Sequence, residues 1–402
     1  MTPDARKYFF DALATPSPSG FEETIQRLNR RYIDPVADVR IDVHGNLIAS
    51  AGPDAGSPKS NASKTQRSTE GVPRVMYAGH CDQIGMLVSH IDDAGFVYAQ
   101  TIGGWDPQQL IGQSMTIWTD RGDQETSGDQ ETSGENETGG ETPSGRRYID
   151  PCPVPAVISR KPIHLLDDSE RRQVVKLKDL WLDIGARDGD HAREMVAIGD
   201  PVTLDLRHRD LAGGLVAGPG TDNKTGMWTV IEALRRATDP DRHGPLRCRL
   251  HAVATVQEEI GLRGAKTAAG SIHPDVAIAV DVTHASDCPT IDKNRQGEIN
   301  VGGGPVIFRG PNINRKVADR LVDLCESNGL PYQIAAIARA TPNDANVLQI
   351  HGGGVAVGLV GIPNRYMHSA VEVISIDDIH HAAELLAAFA ASVSPEDDFI
   401  PG

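Results

Sequence analysis

The chain has 402 residues, 39% of them hydrophobic and 23% charged, which excludes wholesale disorder and, at roughly 100 to 200 residues per domain, predicts two or three domains. A formal charge of -16 argues against nucleic acid or an anionic membrane as a partner, because both require a basic surface. Five scattered cysteines with no C-x-x-C pair signal neither a disulfide framework nor a thiolate zinc site, no apolar run approaches the roughly 18 residues of a membrane helix, and a protein of the reducing cytoplasm is expected.

Residues 3 to 14 read as a short amphipathic helix with Tyr8, Phe9 and Leu13 on one side, closed by a Pro-Ser-Pro-Ser-Gly turn. The Gly/Ser/Pro-rich stretch 52-72 has no periodicity and reads as a loop insertion, followed by the strand "RVMYAGH". From 86 to 204 come short runs such as "GMLVSHI", "GFVYAQTIG", "SMTIWT", "VPAVIS" and "PVTLDL", the pattern of a small barrel or sandwich. Within it, positions 122 to 145 carry seven acidic and no basic residues, including the tandem hexapeptide "DQETSGDQETSG". With almost nothing to bury, 121-147 reads as a disordered acidic insertion of the kind replication slippage leaves. Beyond 204 the grammar alternates: the helix "DNKTGMWTVIEALRRA", the strands "LRCRLHAVATVQ", "VAIAVD" and "GVAVGLVGI", and helices between them. The last helix opens on a capping box, Ser375-x-x-Asp378. The prediction is an α/β catalytic domain built on a doubly wound mixed sheet (1-85 and 205-402), interrupted by a small β-barrel (86-204).

In open α/β sheets ligands gather beyond the carboxyl ends of the strands. There the sequence places His80 and Asp82, Glu258 and Glu259, Asp281 and His368, with Asp222 at the start of a helix. So many acids in one crevice repel unless a cation neutralises them. Imidazoles and carboxylates without thiolates suit zinc, cobalt or manganese. They are too many for one tetrahedral catalytic zinc and suit two metals sharing a carboxylate. The doublet "EE" ends a strand, whose successive side chains point to opposite faces, so one can ligate while the other faces the metal-held water as a general base.

The ordered series "YAGHCDQIGMLV", "GGWDPQQLIGQ", "GPGTDNKTG", "VQEEIGLRGA", "VDVTHASDCP", "GPVIFRGPNINRKVADRLV" and "IPNRYMHSAVEV" resembles the dinuclear metallo-aminopeptidases of the glutamyl-aminopeptidase and tetrahedral (TET) type, some of which carry the name endoglucanase M. The resemblance runs from about residue 1 to 390 outside the two insertions. It implies two divalent ions, zinc or cobalt and alternatively manganese, with Asp222 bridging them, Glu259 and His368 completing one site, and His80 and Asp281 the other. It further implies Glu258 as general base to a metal-bound hydroxide, Asp82 as the carboxylate orienting His80, and a cis peptide at Asp222-Asn223. The barrel would be PDZ-like and used for dimerisation, with dimers building a homo-oligomeric dodecamer that acts on peptides. Where the family has a Gly-Gly-Thr-x-x-Asp run this chain has "ARATPNDAN" at 338-346, and His284 stands where proline is common, so the preferred N-terminal residue is not readable.

Three other readings compete. A metal-dependent deacylase or amidase on small amides would use the same centre. A glycosidase needs two carboxylates about 5 to 9.5 Å apart across a sugar, for which adjacent residues are ill suited. An inactive shell protein would not be expected to keep every ligand position. "HGGG" at 351-354 lacks a G-x-S-x-G partner and reads as a turn, and no H-E-x-x-H is present.

Overall fold

The computed structural model describes residues 1–53, 71–120 and 151–401. The acidic insertion expected at 121-147 lies outside the described residues, as does the loop expected at 52-72 except for its first and last two positions. The chain divides into two compact units, Met1–Ile84 with Leu206–Gly402, and Gly85–Asp205.

The first unit begins with β1 (Asp38–Ile41), β2 (Leu47–Ala51) and β3 (Arg74–His80). The second supplies β4 (Gly85–Ile91), β5 (Val97–Ile102), β6 (Gln113–Thr119), β7 (Cys152–Ser159), β8 (Trp181–Asp183) and β9 (Pro201–Leu204), which close into an antiparallel barrel in the order β4-β5-β8-β7-β6-β9. Alternate residues of these strands, among them Met115, Ile117, Ala156, Ile158, Val202 and Leu204, are buried, as a pleat with one inner face requires. The chain then returns to the first unit with β10 (Arg209–Leu211), β11 (Leu215–Ala217), β12 (Arg249–Thr255), β13 (Val276–His284), β14 (Val306–Arg309), β15 (Gln333–Ala336), β16 (Ala356–Asn364) and β17 (Val373–Ser375).

Eight of these strands form a mixed sheet in the order β1-β2-β12-β3-β13-β16-β14-β15. Its four central strands, β12, β3, β13 and β16, are mutually parallel, while β2 and β14 join them antiparallel. Strands covered on both faces read as continuous apolar runs, and "VAIAV" of β13 is buried at every position. The helices Thr221–Ala237 and Ile376–Ser392 pack together on one face of these strands, and Arg263–Ile272 with Asp344–Gln349 on the other. Packing on the first face is close. Tyr77 Oη donates to the Leu386 carbonyl at 2.7 Å, and two residues on, a Cβ added at Gly79 would stand 2.5 Å from the backbone of Gly226. Glycine at 79 thus lets the helix that carries Asp222 sit directly on β3.

The parallel strands present their carboxyl ends at one edge of the sheet, which is where β3, β13 and the segments after β12 and β16 deliver the candidate residues. Local expectations are refined in three places. Glu258 and Glu259 do not end a strand: β12 stops at Thr255, and Gln257 adopts a left-handed φ of 56° that breaks the pleat. The doublet is therefore splayed by a turn. The segment 338-346 ends inside the helix Asp344–Gln349. At the last helix only half of the capping box forms, with Ser375 Oγ accepting from the Asp377 N–H. Asp378 instead accepts from the N–H groups of Gly302 and Gly304 at 2.7 Å each. Among the described residues no helix is long and apolar enough to cross a membrane.

Candidate metal centre

Asp222 lies at the start of the helix Thr221–Ala237, where it and Asn223 depart from helical dihedrals and the peptide between them is cis. Its two carboxylate oxygens face two different imidazoles. Oδ1 is 3.3 Å from His80 Nε2, and Oδ2 is 3.2 Å from His368 Nε2. His80 Nε2 also lies 3.6 Å from Asp281 Oδ1, and His368 Nε2 lies 3.5 Å from Glu259 Oε1. Two donor sets result, His80–Asp222–Asp281 and Asp222–Glu259–His368, each with its ligand atoms within 4.8 Å of one another and with Asp222 in both. Glu258 belongs to neither set and stands beside the first, its Oε2 3.9 Å from His80 Nε2.

The His80 imidazole is held from behind. His80 Nδ1 is 3.0 Å from the carbonyl oxygen of Asp82; an Nδ1–H donating there leaves Nε2 as the ligand atom. The Asp82 carboxylate, expected to orient His80, is the more distant acceptor at 3.5 Å. It is fully buried, and it also accepts from the backbone N–H of Glu258 at 3.0 Å and of Glu259 at 3.1 Å, and from Ser19 Oγ at 2.6 Å. His368, in the turn after β16, has a left-handed φ of 60°, and its backbone N–H donates to Glu372 Oε1 at 2.9 Å. Asp281 sits within β13, earlier than the strand end expected from sequence, and the exposed His284 closes that strand.

The electrostatics call for positive charge. Burial pushes Glu258 up to about 10, with Asp281, Asp344 and Glu259 adding to the shift against His80. Burial likewise raises Glu259 and Asp281. Burial would also raise Asp222, but hydrogen bonds from His368 and His80 hold it well below the usual carboxylate range. In return, Asp222 and Glu259 lift His368 to about 11; His80, which burial alone would lower, is raised by Glu258, Asp222, Asp281 and Asp82. The buried Glu259 Oε1 accepts no hydrogen bond, an acceptor aimed at the same space. All donors are oxygen or imidazole nitrogen, which suits a borderline divalent ion such as zinc, cobalt or manganese, and the residues fit two such ions.

Sequence reasoning missed three buried carboxylates here. Glu372 accepts from Thr221 Oγ1 at 2.9 Å and the Asp222 N–H at 3.1 Å through Oε2, while Oε1 holds His368. Asp344 accepts from Thr255 Oγ1 at 2.7 Å, leaves Oδ1 buried and unpartnered, and is pushed up to about 7 by burial. Glu22 accepts from the N–H groups of Gly20 and Gln257 and is pushed up to about 8 by burial and then by Asp82. "SGFEE" and "HSAVEV" each offered an acid near a motif residue, a signal too weak to separate these from solvated glutamates.

The chain as a whole is similar to known proteins. The family model described as M42 glutamyl aminopeptidase matches residues 61–130 and 148–385. A lysyl aminopeptidase of Pyrococcus furiosus is 32% identical over 395 residues, 97% of each chain. The crystal structure of a TET aminopeptidase from a marine sediment Thaumarchaeota archaeon superposes with a TM-score of 0.80 at 26% identity, covering 97% of both chains. A TET1 peptidase of Pyrococcus horikoshii that can assemble into a tetrahedron or a large octahedral shell does so with a TM-score of 0.75 at 26% identity, over 97% of this chain and 100% of that one.

Proposed function

The chain belongs to the M42 glutamyl aminopeptidase family, hydrolases acting on peptide bonds, and from that membership we propose that it removes N-terminal residues from peptides at a centre of two divalent ions. The observation that carries this reading is the two-sided carboxylate of Asp222, which turns one oxygen to His80 and the other to His368. His80 and Asp281 would complete one ion's ligands, and Glu259 and His368 the other's, with Asp222 common to both. Zinc or cobalt, and alternatively manganese, suit that set. When bound, the ions would polarise the scissile carbonyl and lower the pKa of a water from about 15.7 toward 7.

Glu258 is the general base. Neighbouring positive charge ionises its carboxylate, which takes a proton from the attacking water at Oε2 and passes it to the departing amide nitrogen. When bound, the ions would also hold the substrate's free α-amine, which would favour cleavage next to a chain's amino end. Asp82 acts through others: its carboxylate, 3.5 Å from His80 Nδ1, orients that ring, and it fixes the two glutamates by their backbone N–H groups. A small-amide deacylase would use the same groups; the close similarity to named aminopeptidases over nearly the whole chain favours peptides. The adjacency of Glu258 and Glu259 disfavours glycoside hydrolysis.

By likeness to the tetrahedral relatives we also infer a homo-oligomer, a dodecamer built from dimers, with the barrel unit as the dimerising domain. Light scattering coupled to gel filtration tests this, and a monomer at micromolar concentration would refute it. The free cysteines suit the cytoplasm. The catalytic proposal is tested by Glu258→Gln assayed on aminoacyl-nitroanilides with metal content measured. The expected result is two ions retained and kcat reduced at least 100-fold; wild-type turnover with both ions bound would refute it.

A further inference from the structure

The turn that carries Glu258 and Glu259 takes no support from a strand ladder or a helix at its four leading amides. Each of those consecutive N–H groups instead donates to a side chain brought from elsewhere in the unit. Val256 N–H donates to Asn46 Oδ1 at 3.1 Å, Gln257 N–H to Glu22 Oε1 at 3.0 Å, and Glu258 and Glu259 N–H to the two oxygens of Asp82. All three acceptor residues are buried, and each is tied down in turn. Asn46 Nδ2 donates to Asp42 and Thr267, Glu22 Oε1 also accepts from Gly20, and Asp82 also accepts from Ser19. The middle residue, Gln257, sits at φ 56°, a conformation a non-glycine residue seldom adopts without outside constraint.

We infer that Glu22, with Asn46, is a positioning residue for the general base: by gripping the Gln257 and Val256 amides it holds the turn in the shape that sets Glu258 on one side and Glu259 on the other. This deepens the proposed reaction and rests on Glu258 being its base. The hydrogen bonds of Glu22 go to the Gly20 and Gln257 amides and not to a candidate metal ligand's side chain, so its effect travels through the backbone. Loss of the grip frees the turn and misplaces Glu258 by a fraction of its reach, and a misplacement near 1 Å costs on the order of 100-fold in rate.

The test compares Glu22→Gln, which keeps an oxygen able to accept both amides, with Glu22→Ala, which keeps none. Each is assayed on an aminoacyl-nitroanilide with zinc bound, in the wild-type and Glu258→Gln backgrounds, and hydrogen exchange is followed in the peptide spanning 256 to 260. In Glu22→Ala, kcat should fall 10- to 100-fold with KM within about twofold and metal content unchanged, and the 256 to 260 amides should lose protection; Glu22→Gln should restore both. In the Glu258→Gln background the alanine change should have no further effect, because two changes acting through one group are not additive. If Glu22→Ala does not fold, Glu22→Asp, which draws the carboxylate back by one methylene, takes its place in the comparison. Undisturbed exchange and kcat within twofold of wild type would overturn the inference, as would an equal loss in both backgrounds. Full activity in Glu258→Gln alone is a separate outcome: it would remove the base assignment, while the exchange data would still decide whether Glu22 holds the turn.

Discussion

Glu372 holds Asp222 by its backbone: Oε2 accepts the Asp222 N–H at 3.1 Å, and the same carboxylate reaches through Oε1 to the N–H of His368. One buried acid thus ties two of the three donors of the second set at a fixed separation, without occupying either ligand atom. Replacing Glu372 by Gln turns an amide NH2 toward donors on one side. The expected outcome is a 10- to 100-fold loss of affinity for one ion, read by calorimetric titration of metal into the chelated protein, with smaller loss at the other. Two ions bound with unchanged affinity would show that the tether is dispensable.

Gly79 and Gly226 meet backbone to backbone where β3 passes beneath the helix that begins with Asp222. A Cβ at Gly226 would stand 2.3 Å from Asn223 Oδ1 and 2.6 Å from the Val280 carbonyl oxygen, and none of these atoms ends a long flexible chain. Gly226→Ala should therefore destabilise by about 1 to 3 kcal/mol, seen as a lower urea midpoint with little change in slope. Because the displaced Asn223 neighbours Asp222, metal affinity should fall with it. A stability loss with intact metal binding would show that the strain relaxes away from the site.

Much of this centre was legible because the topology puts strand ends together. Once four parallel strands are recognised, His80 and Asp281 must approach one another, and a helix entering there must bring Asp222. The splay of Glu258 and Glu259 was expected on a different ground, the alternation of a pleated strand. It comes instead from Gln257 in a left-handed conformation, and nothing in "TVQEEIG" announces a glutamine there. The supporting shell was illegible for a related reason. Glu22 and Gln257 are 235 positions apart, Asn46 and Val256 210, and Glu372 and Asp222 150. Single side-chain-to-amide bonds leave no periodicity, so an acid that holds a turn looks like any other glutamate. The same holds for Asp378, read as a cap and found tying down a loop 74 and 76 positions away.

Removing metal should cost both activity and stability. Without cations, Asp222, Asp281, Glu258 and Glu259 face one another in a buried crevice, and ions that bind only the folded state stabilise it by mass action. Dialysis against a chelator should abolish aminoacyl-nitroanilide cleavage and lower the melting temperature, and added zinc, cobalt or manganese should restore both. Activity that survives with metal content below one tenth of an ion per subunit would remove the metal from the reaction.

His251 gives a pH dependence that does not involve the centre. It lies on β12 with Nδ1 2.9 Å from Ser50 Oγ, and burial, then the charges of Arg249, Arg40 and Arg74, lower it to about 3 from its ordinary value of 6.5. Its folded-state pKa is depressed, so between about 3 and 6.5 the unfolded chain binds a proton that the folded chain does not. By linkage, stability then rises with pH across that window and is lost on acidification; above 6.5 both states are neutral and the residue contributes no slope. The effect is on the order of a few kcal/mol by pH 4, at about 1.4 kcal/mol per pH unit. Glutamine at 251 can bond Ser50 without titrating. His251→Gln should therefore match wild type in urea midpoint within small limits at pH 7.5, yet lose less stability between pH 6.5 and 4. Parallel curves for the two proteins over that range would show that His251 is not held neutral in the fold.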